Sequence, residues 1–129
     1  MSFSPLNEVE RLLMDAQQGR QSTEALLEGL MEALVYVPSL TPVQADGRGL
    51  QPLFYEREGV SQLAIFTERT RIGATFTESA KYCLEIRMGW LLGGMPEGID
   101  LVINPSHPVG LVLSADGIRQ LKGRLALQR

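Results

Sequence analysis

The sequence is poor in the side chains that most often carry chemistry. Its 129 residues include one cysteine, Cys83, and one histidine, His107. A single cysteine excludes an internal disulfide and any zinc site built from cysteines. A Cys–His nucleophile pair would have to use these two residues. We expect instead that Cys83 is a small buried, unreactive hydrophobe and that His107 is an exposed turn residue.

Positive charge and long apolar runs are also scarce. Twelve lysines and arginines stand against fifteen aspartates and glutamates, which gives a net charge of −3. Nucleic-acid binding needs a basic surface, so we expect no nucleic-acid partner. No apolar run approaches the roughly 18 residues of a membrane span, and the opening MSFSPLNEVE lacks the pattern of a secretory signal. These features predict a cytoplasmic protein with no membrane partner.

The composition that is present, 44% hydrophobic and 21% charged, is that of an ordinary folded protein. We expect one domain over residues 1–129, since this length supports one sizeable core. Acidic residues dominate between Glu8 and Glu32, and basic residues dominate after Ser114. This asymmetry is typical of two solvated helix faces, and the alternative is a polar surface for a partner.

Two helices are predicted at the start of the chain. Ser4 and Pro5 have the residue types of an N-cap and a first helical position, and apolar residues then recur at helical spacing until Gly19. Ser22 or Thr23 can cap the second helix. The short connection favours an antiparallel helix pair.

Strand periodicity follows. The predicted strands are Leu34–Val37, Leu53–Arg57, Gln62–Thr67, Tyr82–Ile86, Leu101–Ile103 and Gly110–Leu113. Between the first two strands, Pro38–Pro52 reads as an exposed irregular loop, either a surface insertion or a binding loop. Glu58–Gly59 indicates a hairpin with a turn longer than two residues. Short helical turns are expected over Glu68–Gly73 and Phe76–Ala80.

The stretch Tyr82–Trp90 fits either period, and we favour a strand followed by a short helix that ends at Gly93–Gly94. With the next strand this forms a strand–helix–strand unit, right-handed if the strands are parallel. Ser114 caps a final helix. Its predicted inward residues are Ile118, Leu121 and Leu125. The expected fold is therefore α+β: an N-terminal helix pair, a mixed five- to six-stranded sheet with a short crossover helix, and a C-terminal helix.

Five segments in this order resemble the N-terminal domain of the SseB family, named for enhanced serine sensitivity. They are NEVERLL, LLEGLMEALVYVP, LAIFT, LEIRMGWLLGG and LVINPSHPVGLVLSADGIRQL. Each motif is modest, but their order and spacing together are fairly specific and extend over nearly the whole chain. The resemblance implies an α+β fold and no established catalytic residues. It also favours strand then helix over Tyr82–Leu92.

No set of residues predicts catalysis or a bound metal. Metal binding would need several histidines, cysteines or clustered carboxylates. Nothing in the sequence sets two carboxylates across a cleft, as a hydrolase would need. Arg69 and Arg71 could bind an anion, but a solvated loop answered by Glu68 is the plainer interpretation. We therefore expect no catalytic, cofactor or metal residues, no cofactor and no enzymatic activity.

The short helix carries the one candidate interaction surface, formed by Arg87, Trp90, Leu91 and Leu92. Apolar residues at helical spacing usually pack inward, so core packing of Trp90 is favoured. The alternative is an exposed anchor, because tryptophan is over-represented at interface hot spots. The function expected is a non-catalytic protein-interaction or regulatory module, compatible with a homodimer. The alternative is a small acidic chaperone or accessory protein of a bacterial secretion system, such as a type III system.

Overall fold

The computed structural model describes residues 5–20, 22–44, 46–52, 54–73, 80–95, 98–105, 107 and 109–127. Within these ranges lie four α-helices and six β-strands, in the order α1 (Glu8–Gln17), α2 (Thr23–Glu32), β1 (Leu34–Ser39), β2 (Phe54–Arg57), β3 (Val60–Ile65), β4 (Tyr82–Arg87), α3 (Met88–Gly94), β5 (Asp100–Ile103), β6 (Leu111–Leu113) and α4 (Ala115–Leu127). A 3₁₀ turn covers Arg69–Arg71. None of the described helices is both long enough and apolar enough to cross a membrane.

Side-chain caps set the helix starts. Ser22 and Ser114 each accept the N–H of the third residue after them, as predicted, at 3.1 Å. The first helix begins later than predicted, because the Asn7 Oδ1 accepts the Glu10 N–H at 3.0 Å. The predicted cap Ser4 lies outside the described residues. An Asn cap satisfies the same orphan N–H groups, so the shift needs no other explanation.

The six strands form two sheets and not the single five- to six-stranded sheet that we expected. One sheet has the order β2-β3-β5-β6, in which β3 and β5 are parallel and the other pairs antiparallel. The other sheet is the antiparallel pair β1-β4. Strand β2 pairs with residues 60–63 of β3 and occupies that edge. Strand β1 therefore meets the edge of β3 only beyond β2, through a bridge between Tyr36 and Phe66, and a second bridge joins Ser39 to Pro52 ahead of β2.

The predicted strand–helix–strand unit is also corrected. Strand β4 pairs with β1 and does not share a sheet with β5. The parallel neighbour of β5 is β3, with Leu63 opposite Leu101 and Ile65 opposite Ile103. The connection between the parallel strands therefore contains the 3₁₀ turn, β4 and α3. The handedness rule for a single crossover helix does not apply to β4 and β5.

The hairpin turn is tighter than predicted. Arg57 pairs with Val60, so only Glu58 and Gly59 form the turn. Both have positive φ angles, 55° and 83°. Two positive φ values in a two-residue turn are the signature of type I′, whose twist matches that of the flanking strands. Gly59 is typical of the second position of this turn, but Glu58 is not the Asn, Asp or Gly usually found at the first position, so the sequence did not indicate a two-residue turn.

Strand β1 continues through Pro38 to Ser39, beyond the predicted end at Val37. The backbone N–H and C=O groups of Tyr36 bond to Phe66 at 2.8 and 2.9 Å, away from β4. Because these groups alternate sides along a strand, the missing N–H of Pro38 also faces away from β4. The loop that follows is largely exposed, but it is tied back where Gln51 donates its N–H to the Ser39 Oγ at 3.1 Å.

One hydrophobic core joins both sheets to the four helices. Its most deeply buried members, each at most 2% exposed, are Leu30, Val35, Val37, Leu63, Ile65, Phe66, Met88, Leu92, Leu101 and Ile103. Ile118 and Leu121 of α4 face this core, as predicted. The predicted position of the Leu125 side chain lies outside what is described. The same holds for the predicted turn at Phe76–Ala80, apart from its last residue.

The core position of β3 leads to a first prediction. Ile65 is fully buried where β3 pairs with β5. Replacement by Ala removes apolar contacts and leaves a cavity, so Ile65→Ala should lower the free energy of unfolding by about 2–5 kcal/mol. Denaturant melts measure this change. Val60→Ala, at the 38% exposed start of the same strand, is the matched control and should cost less than about 1 kcal/mol. Equal losses would contradict the central role of Ile65.

Candidate functional site

A buried carboxylate lies at the carboxyl ends of the parallel strands β3 and β5. The Glu10 side chain on α1 is 0% exposed. Its two oxygens accept hydrogen bonds from the Arg71 guanidinium, at 2.9 Å from Nη2 and 3.0 Å from Nε. The Thr67 hydroxyl donates at 2.6 Å and the Leu6 N–H at 2.8 Å. The Glu10 carboxylate therefore accepts four hydrogen bonds, two of them from one cation.

The cluster extends to β5 through Asn104. The Asn104 Nδ2 donates to the Thr67 hydroxyl at 2.8 Å and to the Val109 carbonyl at 3.2 Å. Its Oδ1 accepts the Thr67 N–H at 3.0 Å. Asn104 has a positive φ of 55°, which asparagine tolerates better than most residues. The Thr67 hydroxyl thus accepts from Asn104 and donates to Glu10, and it links the two strand ends to α1.

His107 belongs to the same cluster. Its Nε2 lies 2.6 Å from the Arg71 carbonyl oxygen, to which it donates. The ring meets Phe66 edge-on, with centroids 6.5 Å apart. His107 is therefore half-buried and not an exposed turn residue as predicted. A histidine whose Nε2 is bound to a carbonyl oxygen holds a loop in place, and in this conformation that nitrogen cannot accept a proton from a substrate.

The balance of burial and hydrogen bonding keeps Glu10 ionised. Burial alone would raise its pKa, but the hydrogen bonds from Arg71, Thr67 and Leu6 outweigh this effect, and the pKa is lowered. The pKa of Arg71 is raised, chiefly because its guanidinium donates to Glu10. Carboxyl ends of parallel strands often bind ligands. Here that position is filled by the protein's own side chains.

The sequence did not indicate this ion pair. We expected Arg71 to be solvated or to bind an anion, with Glu68 as its partner. Glu68 instead accepts hydrogen bonds from the N–H and hydroxyl of Thr70, and Arg69 lies over the Tyr36 ring, 5.8 Å from its centroid. The one available signal was the position of Glu10, three residues before the core residue Leu13 on the same helix.

Cys83 is half-buried and not fully buried as predicted. The prediction assumed an inner strand covered on both faces, whereas β4 pairs only with β1 among the described strands. Burial still raises the pKa of the thiol, so little thiolate forms at neutral pH. The described residues contain no group of three or more His, Cys, Asp or Glu side chains that could hold a metal ion.

The residues of the predicted interaction surface do not all lie on the same face of α3. Met88, Leu91 and Leu92 are buried, with exposures of 0%, 7% and 0%, whereas Trp90 is 74% exposed. Positions i, i+3 and i+4 of a helix share one face, so the three buried residues face the core and Trp90 faces away from it. Leu91 and Leu92 are therefore core residues. Of the four predicted residues only Arg87 and Trp90 reach the surface.

A third exposed residue adjoins this pair. Leu34, 50% exposed, lies opposite Arg87 in the β1-β4 ladder. The Met88 N–H donates to the Ala33 carbonyl at 2.9 Å, which holds the start of α3 against β1. A Cβ at Gly89 would lie 3.2 Å from the Met31 carbonyl oxygen, a tight contact, so glycine favours the close approach of α3 to α2. We call Leu34, Arg87 and Trp90 the Trp90 surface.

An open groove of about 710 Å³ lies between α1, α2 and β1 and reaches the Trp90 surface at Leu34. Leu34 and Tyr36 are among its strand residues, and three acids and one base line it from the helices: Glu8, Asp15, Glu32 and Arg11. Asp15 lies 3.7 Å from the exposed Arg20. Among the charged lining residues, acids therefore outnumber bases by three to one. We call this feature the acidic groove.

The family model described as the SseB protein N-terminal domain matches residues 9–120. The match includes most of the chain, and the chain therefore belongs to the SseB family. No curated protein and no solved structure matches it significantly.

The ion pair generates a prediction about stability. Glu10→Gln keeps the shape of the side chain but removes the buried negative charge that the Arg71 guanidinium binds. Removal of one partner of a buried pair should lower the free energy of unfolding by about 3 kcal/mol at pH 7. Urea melts measure the loss. Glu8→Gln, at an exposed position of the same helix, is the control and should change stability by less than about 0.5 kcal/mol.

The same pair predicts how stability depends on pH. The folded-state pKa of Glu10 lies below its ordinary value of 4.5. A depressed carboxyl pKa stabilises the fold above the unfolded pKa, and this contribution is lost as pH falls through the folded pKa. Glu10→Gln should therefore flatten the acid limb of a plot of stability against pH below about pH 5. An unchanged acid limb would show that other carboxylates govern it.

Proposed function

We propose that this member of the SseB family is a non-catalytic protein-interaction module that binds its partner through the Trp90 surface and the acidic groove. The observation that carries the proposal is the exposure of Trp90, 74%, on a helix whose other large side chains are in the core. A side chain that folding leaves in water is available for burial by a partner.

The size of the effect supports an anchoring role. An aromatic side chain buries roughly 150–250 Å² when it is fully covered. At about 25 cal/mol per Å², a partner that covers the exposed three-quarters of Trp90 gains about 3–5 kcal/mol. Tryptophan is the residue type most often found at such hot spots. This one contact could therefore supply a large share of the free energy of a specific complex.

The placement of Trp90 lowers the entropy lost on binding. Met88 and Leu92 anchor α3 in the core, and the Met88 N–H is bound to Ala33. The helix backbone is therefore already ordered before a partner arrives. A preorganised anchor retains more of its contact energy as affinity than one on a mobile loop.

The charges of the groove indicate the chemistry of the partner. Glu8, Asp15 and Glu32 face a groove with Arg11 as the one base among its lining residues. A partner segment with an apolar side chain for Leu34 and Trp90, flanked by lysine or arginine, complements this arrangement. The buried polar cluster supports a non-catalytic role, because the Glu10 oxygens already accept hydrogen bonds from groups of the same chain.

The first test replaces the anchor. Trp90→Ala should weaken partner binding by about 2 kcal/mol or more, as expected for an aromatic hot spot. It should change the free energy of unfolding by less than about 1 kcal/mol, because the side chain is exposed. Val112→Ala, 57% exposed on β6, is the matched control. Tagged wild type and both variants are incubated with host extract, and captured proteins are quantified by mass spectrometry.

The proposal requires proteins that bind to wild type and Val112→Ala but are lost with Trp90→Ala. A Trp90→Ala variant that remains folded and retains every captured protein contradicts the proposed surface. A variant that unfolds would show that Trp90 stabilises the core, against its exposure. Circular dichroism and denaturant melts of each variant separate these two outcomes.

The second test reverses a charge of the groove. Glu32→Lys places a cation in the last turn of α2, where the helix dipole favours positive charge, so the fold should be retained. Affinity for a partner that depends on Trp90 should fall by about tenfold at low salt, and the difference should shrink in about 0.5 M NaCl as charges are screened. Glu56→Lys, exposed on β2, is the control. Equal affinities of both variants at low salt would contradict an acidic docking groove.

A further inference from the structure

The outer edge of β4 presents backbone groups that no described strand uses. Tyr36 bonds to Phe66, so its neighbours Val35 and Val37 point their backbone groups toward β4. Their partners in the ladder are Ile86 and Leu84. Because backbone groups alternate along a strand, the N–H and C=O groups of Cys83, Glu85 and Arg87 point outward. The Met88 N–H bond to Ala33 continues the same alternation.

This edge has few of the features that prevent pairing. Strand β4 has six residues and no proline, whereas the outer strands β2 and β6 of the other sheet have four and three. Natural proteins usually protect such an edge by shortening it, by proline, by a bulge or by charged side chains. Within the described part of the chain, only the last of these, charged side chains, is found on β4. Its two outward-facing charged residues, Glu85 and Arg87, differ in sign.

The order of these two charges suits a second copy of the chain. Glu85 and Arg87 are both exposed and project on the same face, since alternate residues share a face. In an antiparallel pair with its two-fold axis at Ile86, Glu85 of each copy lies opposite Arg87 of the other. Opposite charges in directly facing positions stabilise a ladder. A hydrogen bond from the Tyr36 hydroxyl to the Glu85 carboxylate raises the pKa of Tyr36.

The neighbouring registers place like charges opposite each other or require a charged residue from outside β4. An axis at Glu85 places the two Glu85 carboxylates against each other. An axis at Leu84 places Arg87 opposite Lys81, again with like charges, which destabilise a pair. An axis at Cys83 would pair Glu85 with Lys81, but Lys81 lies outside the strand. Only the axis at Ile86 pairs opposite charges from within β4.

We infer that the chain forms a symmetric dimer in which the β4 strands of two copies pair antiparallel about Ile86. Because α3 begins at Met88, the ladder contains residues 85–87 of each copy. The outward groups of Glu85 and Arg87 bond across the axis, and the two β1-β4 sheets become one four-stranded sheet. A two-fold axis through paired edges stands perpendicular to the sheet, so the same face of each copy lies on the same side. This inference goes beyond the proposed function and does not depend on it.

The first experiment exchanges the two charges. Wild type should sediment with the mass of two chains, and Glu85→Arg and Arg87→Glu should each raise the dissociation constant of the dimer by at least about tenfold. The double variant, with both charges exchanged, restores opposite pairs and should recover the dimer. Glu56→Arg, on the outer strand β2, is the control and should leave the dimer intact. Circular dichroism verifies that each variant is folded.

The second experiment measures the register by cross-linking. In a Cys83→Ala background, Ile86→Cys places two thiols on the axis, where facing Cα atoms are about 4.5 Å apart and within disulfide range. Mild oxidation should link this variant into covalent dimers. Glu85→Cys in the same background should link far more slowly, because its partner position is occupied by Arg87.

Three results would overturn the inference. Wild type that remains monomeric at all concentrations would remove the dimer. Preferential linking through Glu85→Cys would place the axis elsewhere. Failure of the double charge variant to recover the dimer would show that Glu85 and Arg87 do not face each other. The dimer is measured by sedimentation of the Glu85 and Arg87 variants, whereas partner capture is measured with Trp90→Ala, which leaves both of those residues unchanged, so the two proposals can fail separately.

Discussion

The ion pair between Glu10 and Arg71 is the interaction on which the arrangement of this fold depends. It joins α1 to the turn that follows β3, across 61 residues of sequence. Thr67 continues the link to Asn104 at the end of β5, and His107 binds the Arg71 carbonyl from the next loop. One carboxylate thereby holds a helix and the ends of two parallel strands together. A buried charge is tolerated only when it is paired and hydrogen-bonded, so these contacts are coupled and must form together.

The consequences reach the surface on which we base the proposed function. The position of α1 against β3 forms one wall of the acidic groove, and α2 and β1 form the others. Leu34 lies where that groove meets Arg87 and Trp90. The core holds α3 by Met88, Leu91 and Leu92, so that Trp90 projects from an ordered helix. In the polar cluster, the Glu10 oxygens already accept hydrogen bonds from groups of the same chain. We therefore propose partner binding and not catalysis, because Trp90 is exposed and the adjacent groove is charged.

The division into two sheets has its own consequence. Strand β2 occupies the edge of β3 that β1 would need for a longer pairing, so β1 joins that edge only at Phe66. Strand β4 then pairs with β1 alone among the described strands and becomes an outer strand. This explains why Cys83 is half-buried and why the groups of Glu85 and Arg87 face outward. The strand periodicity suggested a single continuous sheet. In such a sheet β4 could have had a neighbouring strand on each edge, and no edge would be free to pair with another chain.

The sequence by itself determined the type and order of most elements, because those signals are local. Ser22 and Ser114 cap helices through contacts three residues away, and alternating residues identify β4 before Gly93–Gly94 end α3. The motif order also identified the family. Only the tertiary structure decided which strands share a sheet, that Glu10 meets Arg71, and that Trp90 is exposed while Leu91 and Leu92 are buried. The physical reason is the distance along the sequence over which each interaction acts. Capping and periodicity act within a few residues, whereas edge occupancy and a buried ion pair depend on segments that meet only after the chain has folded.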